Sequence, residues 1–275
     1  MIMPELPEVE TVRRVLAPHL QGRTIETVRI NNARVIASPE PEIFVSRVAG
    51  QVIENLTRRG KFLQIRFVSG GSLTVHLRMT GCLTIEPCGA PCEKHTHLFF
   101  TLNDGGELRY EDVRRFGKFW FADKDEPDLS GIDRLGIEPF DASLTAEYLR
   151  KKCGNSAKPV KEMLLDQSIV AGIGNIYSDE ILFTAKIRPD TPCNRLAREK
   201  LECLAKVIPE RLAYFIEKNR ITFEEYLAGK GKDYRNAVFL QVYGRAGEHC
   251  PVCDGILESS KIAGRRSVFC PNCQA

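Results

Sequence analysis

Cys250 and Cys253 in "CPVC", and Cys270 and Cys273 in "CPNC", form two C-x2-C turns separated by sixteen residues. Each such turn presents two thiolates, and four thiolates close a tetrahedral zinc site with no position left for water or substrate. One structural zinc is therefore expected. Paired disulfides are the competing use of these residues, disfavoured because nothing at the start of the chain resembles an export signal. A second kind of chemistry sits in the opening "MIMPELPEVET". A free α-amino group of pKa ~8 is neutral in roughly one molecule in ten at pH 7, against well under ~1% for a lysine near ~10.4. A terminal proline nitrogen is thus a ready nucleophile. Read literally, Met1 and Ile2 bury the nitrogen of Pro4 in an amide, so this chemistry requires Met3 to be the functional start and to be trimmed away. The plain alternative is that Pro4 and Pro7 only begin a helix.

Those residues need elements to hold them. "PEVETVRRVLAPHL" places Val9, Val12, Leu16 and Leu20 at helical spacing, with acidic residues at the positive end of the dipole, so a helix starts close to Pro4. The period then changes to two. "TIETVRI", "KFLQIRF" and "SLTVHLRM" alternate, the last two joined across Ser69-Gly70-Gly71, and "HLFFTL" meets "ELRYEDV" across "NDGG". "GKFWFA" adds strand, and "DKDEPDLSGIDRLGIEP" reads as connector. Beyond Pro139, "LTAEYLRKK", "KPVKEMLLDQSI", "NIYSDEILFTAK" and "REKLECLAKVIPERLAYFIEK" are helical, the first with Ser143 as its expected cap. Between the second and third, "VAGIGNIY" combines a glycine reversal with a helix start at Asn175, a place where free amides can seat a phosphate. The fold class expected is α+β. It comprises an N-terminal antiparallel β-sandwich with an attached helix over 1–136, a helical region over 137–236 and a zinc module over 237–275.

The 275 residues, 43% of them hydrophobic, suffice for two modest cores and a small module. No apolar run approaches the ~18 residues that span a bilayer. The N-terminus, with Glu5, Glu8 and Glu10, lacks the form of a secretory signal, so a cytoplasmic protein without membrane attachment is expected. A net charge of +3 permits a polyanionic partner without requiring one.

"PELPEVET", "RRGKFL", "HLRMTG", "EKHTH", "RRFG", "VAGIGNIYSDE", "QVYGR" and the terminal cysteine pairs occur in one order, from residue 4 to the last cysteines. Together they resemble the bacterial formamidopyrimidine-DNA glycosylases. The resemblance implies a helix-two-turn-helix in the middle region. It also implies base-excision repair of damaged double-stranded DNA: removal of oxidised purines such as 8-oxoguanine, then strand cutting by β- and δ-elimination. By the same resemblance Pro4 attacks the sugar, Glu5 exchanges protons with the sugar oxygen and Glu8 helps to hold the site. Lys61 contacts phosphate and assists elimination. Arg265, rather than its neighbour Arg266, binds the phosphate of the second elimination with its planar fork. Flipping a base out of a duplex costs a few kcal/mol and leaves a gap. Met79, Arg114 and Phe116 resemble the trio that fills it. His95 and Asn175 are expected on the DNA backbone, and Lys161 at the lesion pocket. Sites of this kind need a single chain, so a monomer is expected.

Two features depart from the family pattern. The Met1-Ile2 extension, if retained, turns the protein into a zinc-containing DNA binder without catalysis. The segment "NRITFEEYLAGKGKDYRNAV", where a lesion-covering loop over about 219–237 is expected, differs at many positions and leaves lesion preference open. An endonuclease VIII-like enzyme for oxidised pyrimidines is disfavoured because the opening reads "PELPEV" and not "PEGPE". A second metal site from Cys88, Cys92, His95 and His97 is disfavoured by its spacing.

Overall fold

The computed structural model describes residues 4–274; Met1, Ile2 and Met3, on which the start-site expectation turns, lie outside them. In chain order the elements are α1 (Leu6–Leu20), β1 (Ile25–Ile30), β2 (Ile36–Ser38), α2 (Pro41–Val48), β3 (Ile53–Arg59), β4 (Phe62–Phe67) and β5 (Ser72–His76). There follow β6 (Gly81–Pro87), β7 (Thr96–Leu102), β8 (Gly106–Asp112), β9 (Lys118–Ala122), α3 (Ala146–Cys153), α4 (Val160–Leu165) and α5 (Asn175–Thr184). The chain ends with α6 (Arg198–Lys218), α7 (Phe223–Ala228), β10 (Glu258–Ile262) and β11 (Arg265–Phe269). It divides into two compact units. One runs to Asp133 and takes back Asn219–Tyr234, and the other holds Arg134–Lys218 and the remainder from Arg235.

In the first unit, a four-stranded sheet of order β1-β7-β8-β6 and a five-stranded sheet of order β2-β9-β5-β4-β3 share one core. Pairing is antiparallel except between β2 and β9. Leu63, Val75 and Phe119 from one sheet meet Leu83, Phe100 and Leu108 from the other, and Val12 and Leu16 of α1 join the same core. The alternating pattern that marked these strands is the inward face of each sheet. The segment Asn219–Tyr234 is held to this unit by specific polar contacts. The Asn219 amide donates to Thr11 Oγ1 at 2.7 Å, the buried Tyr226 hydroxyl donates to the Leu83 carbonyl at 2.7 Å, and Phe223 stacks on His19.

The second unit is organised by α5, whose residues Ile176 to Phe183 are all buried. Burying Asp179 and Glu180 on such a helix requires partners. Glu180 accepts from the backbone N–H groups of Gln241, Val242 and Tyr243 at 2.9–3.0 Å, which fastens the segment after α6. Helix α3 is capped by Thr145, whose Oγ1 accepts from Tyr148 N at 3.1 Å. The expected cap, Ser143, is instead engaged in a turn on Asp141, because its own hydroxyl finds that nearer carboxylate.

Candidate active site and metal centre

Pro4 and Glu5 are buried at the tip of α1. Glu5 is the N-cap, and Glu8 reaches back so that its Oε2 accepts from Glu5 N at 2.9 Å, a reciprocal capping box that fixes the chain just after Pro4. One turn further on, Glu10 gathers Arg13, Arg14 and Arg58 at 2.7–3.1 Å. Burial works against its charge, yet the three guanidiniums hold the Glu10 carboxyl down to about 2. Arg58 also donates to the Gly60 carbonyl at 3.1 Å. Through Glu10 and Arg58, α1 is therefore tied to the Gly60-Lys61 turn between β3 and β4, where the expected phosphate lysine sits half-buried. Beside it stands His76, whose imidazole is pushed down to about 3 by burial and then by the positive charges of Arg78 and Lys61, so it is neutral at pH 7.

Met79, Arg114 and Phe116 come together on the surface of this unit. Met79 is 36% exposed and Phe116 48%, so neither is core. The Arg114 guanidinium lies 4.7 Å from the centre of the Phe116 ring and donates to Met79 Sδ at 2.8 Å. The two loops that carry them are knotted on Asp112. Its Oδ2 accepts from Tyr110 OH at 3.0 Å and Gly117 N at 2.9 Å, and its Oδ1 from Arg114 N at 3.1 Å and from the Thr80 hydroxyl. Burial opposes the charge, but these donors hold the carboxyl below its ordinary value. Gly117 is obligatory here, since a Cβ would fall 1.7 Å from Tyr110 OH. His95, half-buried just ahead of β7, accepts from Asp112 N at 3.0 Å through its carbonyl. The buried Tyr234 hydroxyl has no hydrogen-bond partner, and its phenol is held well above the ordinary range by burial, with the Glu8 charge adding to the effect. Nothing in the local sequence singled out Asp112, Arg58, His76 or Tyr234.

In the second unit, β10 and β11 are joined by Ala263 and Gly264, at φ of +48° and +74°, a turn whose twist suits a tight hairpin. Arg265 follows immediately and is exposed, as is Arg266. The Arg266 carbonyl accepts from Asn175 Nδ2 at 3.2 Å and from Lys161 Nζ at 3.4 Å, so the expected DNA contact Asn175 spends one amide hydrogen on holding the hairpin. Lys161, expected at a lesion pocket, sits in the interior of the second unit. It is fully buried with its Nζ 2.7 Å from Asp179, itself fully buried, because an ammonium in that position needs a counter-charge more than a ligand. Asp179 completes the arrangement by accepting from Val268 N at 3.1 Å. Burial raises its carboxyl to about 6 in spite of the Lys161 charge.

The sulfurs of Cys250, Cys253, Cys270 and Cys273 all lie within 4.8 Å of one another, with Cys250–Cys273 at 3.9 Å and Cys253–Cys270 at 3.4 Å. A tetrahedron of Zn–S bonds of ~2.3 Å has edges of about 3.8 Å, so the donor set fits zinc. The zinc is structural, a brace for the hairpin that presents Arg265. Among the described residues no other group of three or more potential ligands converges in this way, and His97 is engaged with the Asp112 carbonyl at 2.8 Å. No helix among them is long and apolar enough to cross a membrane.

Taken together, a proline-led helix on a β-sandwich, a helical unit and a four-thiolate finger define a zinc-braced protein of the DNA-glycosylase class. Residues 3–119 match the formamidopyrimidine-DNA glycosylase N-terminal domain, residues 135–226 the formamidopyrimidine-DNA glycosylase H2TH domain, and residues 247–275 the zinc finger found in FPG and IleRS. The formamidopyrimidine-DNA glycosylases of Desulforamulus reducens and Pelotomaculum thermopropionicum are 42% and 41% identical, over 99% of this chain and of each relative. The structure of Lactococcus lactis FPG with DNA containing an oxidised pyrimidine superposes with a TM-score of 0.89 at 35% identity, covering 98% of this chain and 99% of that one. A complex of the same protein with Fapy-dG DNA gives 0.88 at 34%. The chain belongs to the formamidopyrimidine-DNA glycosylase family.

Proposed function

We propose that this enzyme, a base-excision repair glycosylase and AP lyase of that family, acts as a cytoplasmic monomer on damaged double-stranded DNA through the nitrogen of Pro4. With Met3 as the functional start and removed, that nitrogen is a free secondary amine. It attacks the sugar carbon bearing the oxidised purine, the base departs, and the resulting iminium makes the adjacent sugar protons acidic, so the phosphates on either side can be eliminated in turn. Glu5 exchanges protons with the sugar oxygen, Lys61 assists elimination and Arg265 binds the phosphate lost in the second step. Met79, Arg114 and Phe116 fill the gap left by the flipped base, and His95 and Asn175 contact the strand. Lys161 is assigned a positioning role through Asp179 and Arg266. The observation that carries this reading is the reciprocal Glu5–Glu8 cap, which holds the backbone beginning at Pro4 at one fixed place on α1.

Borohydride trapping tests it on 8-oxoguanine duplex, with protein whose first residue is Pro4 and protein that retains Met1. The Pro4-first form is expected to become covalently attached and the extended form to bind without attachment. Failure of the Pro4-first form to trap refutes the assignment. Preferential trapping on an oxidised-pyrimidine duplex moves the substrate to that class.

A further inference from the structure

Cys153, the last residue of α3, and Cys193 take no part in the chemistry above. Both are free and almost wholly buried, at 3% and 2% exposure. The backbone lays their segments side by side: Cys193 N donates to the Lys158 carbonyl and Asn194 N to the Ser156 carbonyl, each at 2.9 Å, and Val160 N to the Thr191 carbonyl at 2.8 Å. The two thiols also interact directly. A hydrogen bond from Cys193 favours the thiolate of Cys153 and holds it below the ordinary thiol value, whereas Cys193, as donor and by burial, is pushed well up. The Cys153 S–H itself donates to the Leu149 carbonyl at 2.9 Å, so the thiol is the resting form and this bond is given up when the thiolate forms. The pair lines an open cavity of about 600 Å³ whose wall also carries Lys152, Lys158, Arg265, Glu162 and Asp166, with Lys158 paired to Glu162 at 2.9 Å, a polar opening through which a small oxidant reaches the thiols from solvent.

We propose that Cys153 and Cys193 are a covalent modification site, forming a reversible disulfide when a small peroxide enters this cavity. The Cys153 thiolate attacks one oxygen of hydrogen peroxide, the O–O bond breaks, and hydroxide leaves. The product is a sulfenic acid on Cys153. Cys193 Sγ then attacks that sulfur, the S–O bond breaks, and the departing hydroxide and the one released earlier are neutralised by the two thiol protons. Two thiols are oxidised by two electrons and one peroxide becomes two waters. A dithiol reductant reverses the link by exchange.

The test uses zinc-loaded, full-length protein treated with hydrogen peroxide near stoichiometry, alkylated, digested and analysed by mass spectrometry. The expected product is the Cys153 peptide joined to the Cys193 peptide with loss of two hydrogens, restored by dithiothreitol, with zinc retained and the unfolding midpoint raised in the linked form. The exposed Cys88 and Cys92 serve as internal references for oxidant strength. Recovery of Cys153 and Cys193 as free, alkylated thiols after those two have reacted overturns the proposal, as does a sulfinic acid on either without the cross-link. In Cys193→Ser protein, dimedone is expected to capture the sulfenic acid on Cys153. Absence of that adduct in folded variant contradicts the order of steps.

Discussion

Replacing Asp112 by alanine is the sharpest perturbation of the loops that carry Met79, Arg114 and Phe116, because one carboxylate accepts from four donors on three segments of chain. The Thr80 hydroxyl and Arg114 N–H lie toward the surface and can turn to water. Tyr110 OH and Gly117 N–H are buried and cannot. A hydrogen bond to a charged group contributes about 1.5–3 kcal/mol, so losing the two buried ones costs about 3–6 kcal/mol. Relief of the carboxylate's own desolvation returns part of this, leaving a net loss of about 3–4 kcal/mol. At ~2–4 °C per kcal/mol for a unit of this size, the melting temperature falls by about 6–16 °C. Asp112→Asn can place its one carbonyl oxygen where Oδ2 stands and keep both buried bonds without the charge, but it turns an NH2 toward the Arg114 N–H, so it loses about half as much. Calorimetry gives the first number, and single-turnover base excision below the melting point gives the functional consequence. Excision falls because the loops bearing Met79, Arg114 and Phe116 lose their common anchor. A melting temperature within ~2 °C of the parent, with unchanged excision, refutes the reasoning.

Three further outcomes are expected. Asp179→Ala leaves the Lys161 ammonium buried without its counter-charge and destabilises the second unit by about 3–5 kcal/mol, whereas the double variant Lys161→Met, Asp179→Leu recovers most of that loss in chemical denaturation. Because His76 is neutral in the folded state down to about 3 while an unfolded imidazole titrates near ~6.5, the unfolded chain binds more protons between those values. Stability is therefore lost as pH falls through that window, by up to about 1.4 kcal/mol per unit, and pH-dependent denaturation of His76→Gln shows a correspondingly flatter slope. Chelation of zinc releases the β10–β11 hairpin, which is measured as one zinc per chain lost by atomic absorption. Removing one charge-assisted phosphate contact worth about 1.4 kcal/mol weakens DNA binding about tenfold, and a salt slope reduced by about one contact accompanies it.

Much of the site was legible in the chain because its chemistry is local in sequence. Two C-x2-C turns state a four-thiolate site wherever the intervening hairpin goes, and the sulfurs do converge. The alternation around Ser69-Gly70-Gly71 and "NDGG" sufficed for the β4–β5 and β7–β8 hairpins, since a two-residue period and a glycine turn are both short-range properties. What was not legible depends on partners distant in the chain. Arg58 and Glu10 are separated by β1, β2 and α2, and only the closed sandwich brings them to 3.1 Å. Asp112 ends an ordinary strand, and its role emerges when Thr80 and Gly117 arrive from either side.

Lys161 shows the same limit from the other direction. On an amphipathic helix a lysine reads as a charge for solvent or ligand, and burial is the less frequent outcome. Its fate was decided eighteen residues later by Asp179, which the buried α5 carries inward. That helix accounts for the arrangement of the whole second unit: Asn175 at its start and Asp179 one turn on both reach the hairpin, while Glu180 fastens the segment leading to the first zinc cysteines. Arg265 is thus positioned twice, by thiolates that fix the finger and by α5, which fixes β11 through Val268 and the Arg266 carbonyl. Loss of either support is expected to impair the second elimination before it impairs base excision, a difference that product analysis on a denaturing gel resolves as accumulation of the β-elimination product.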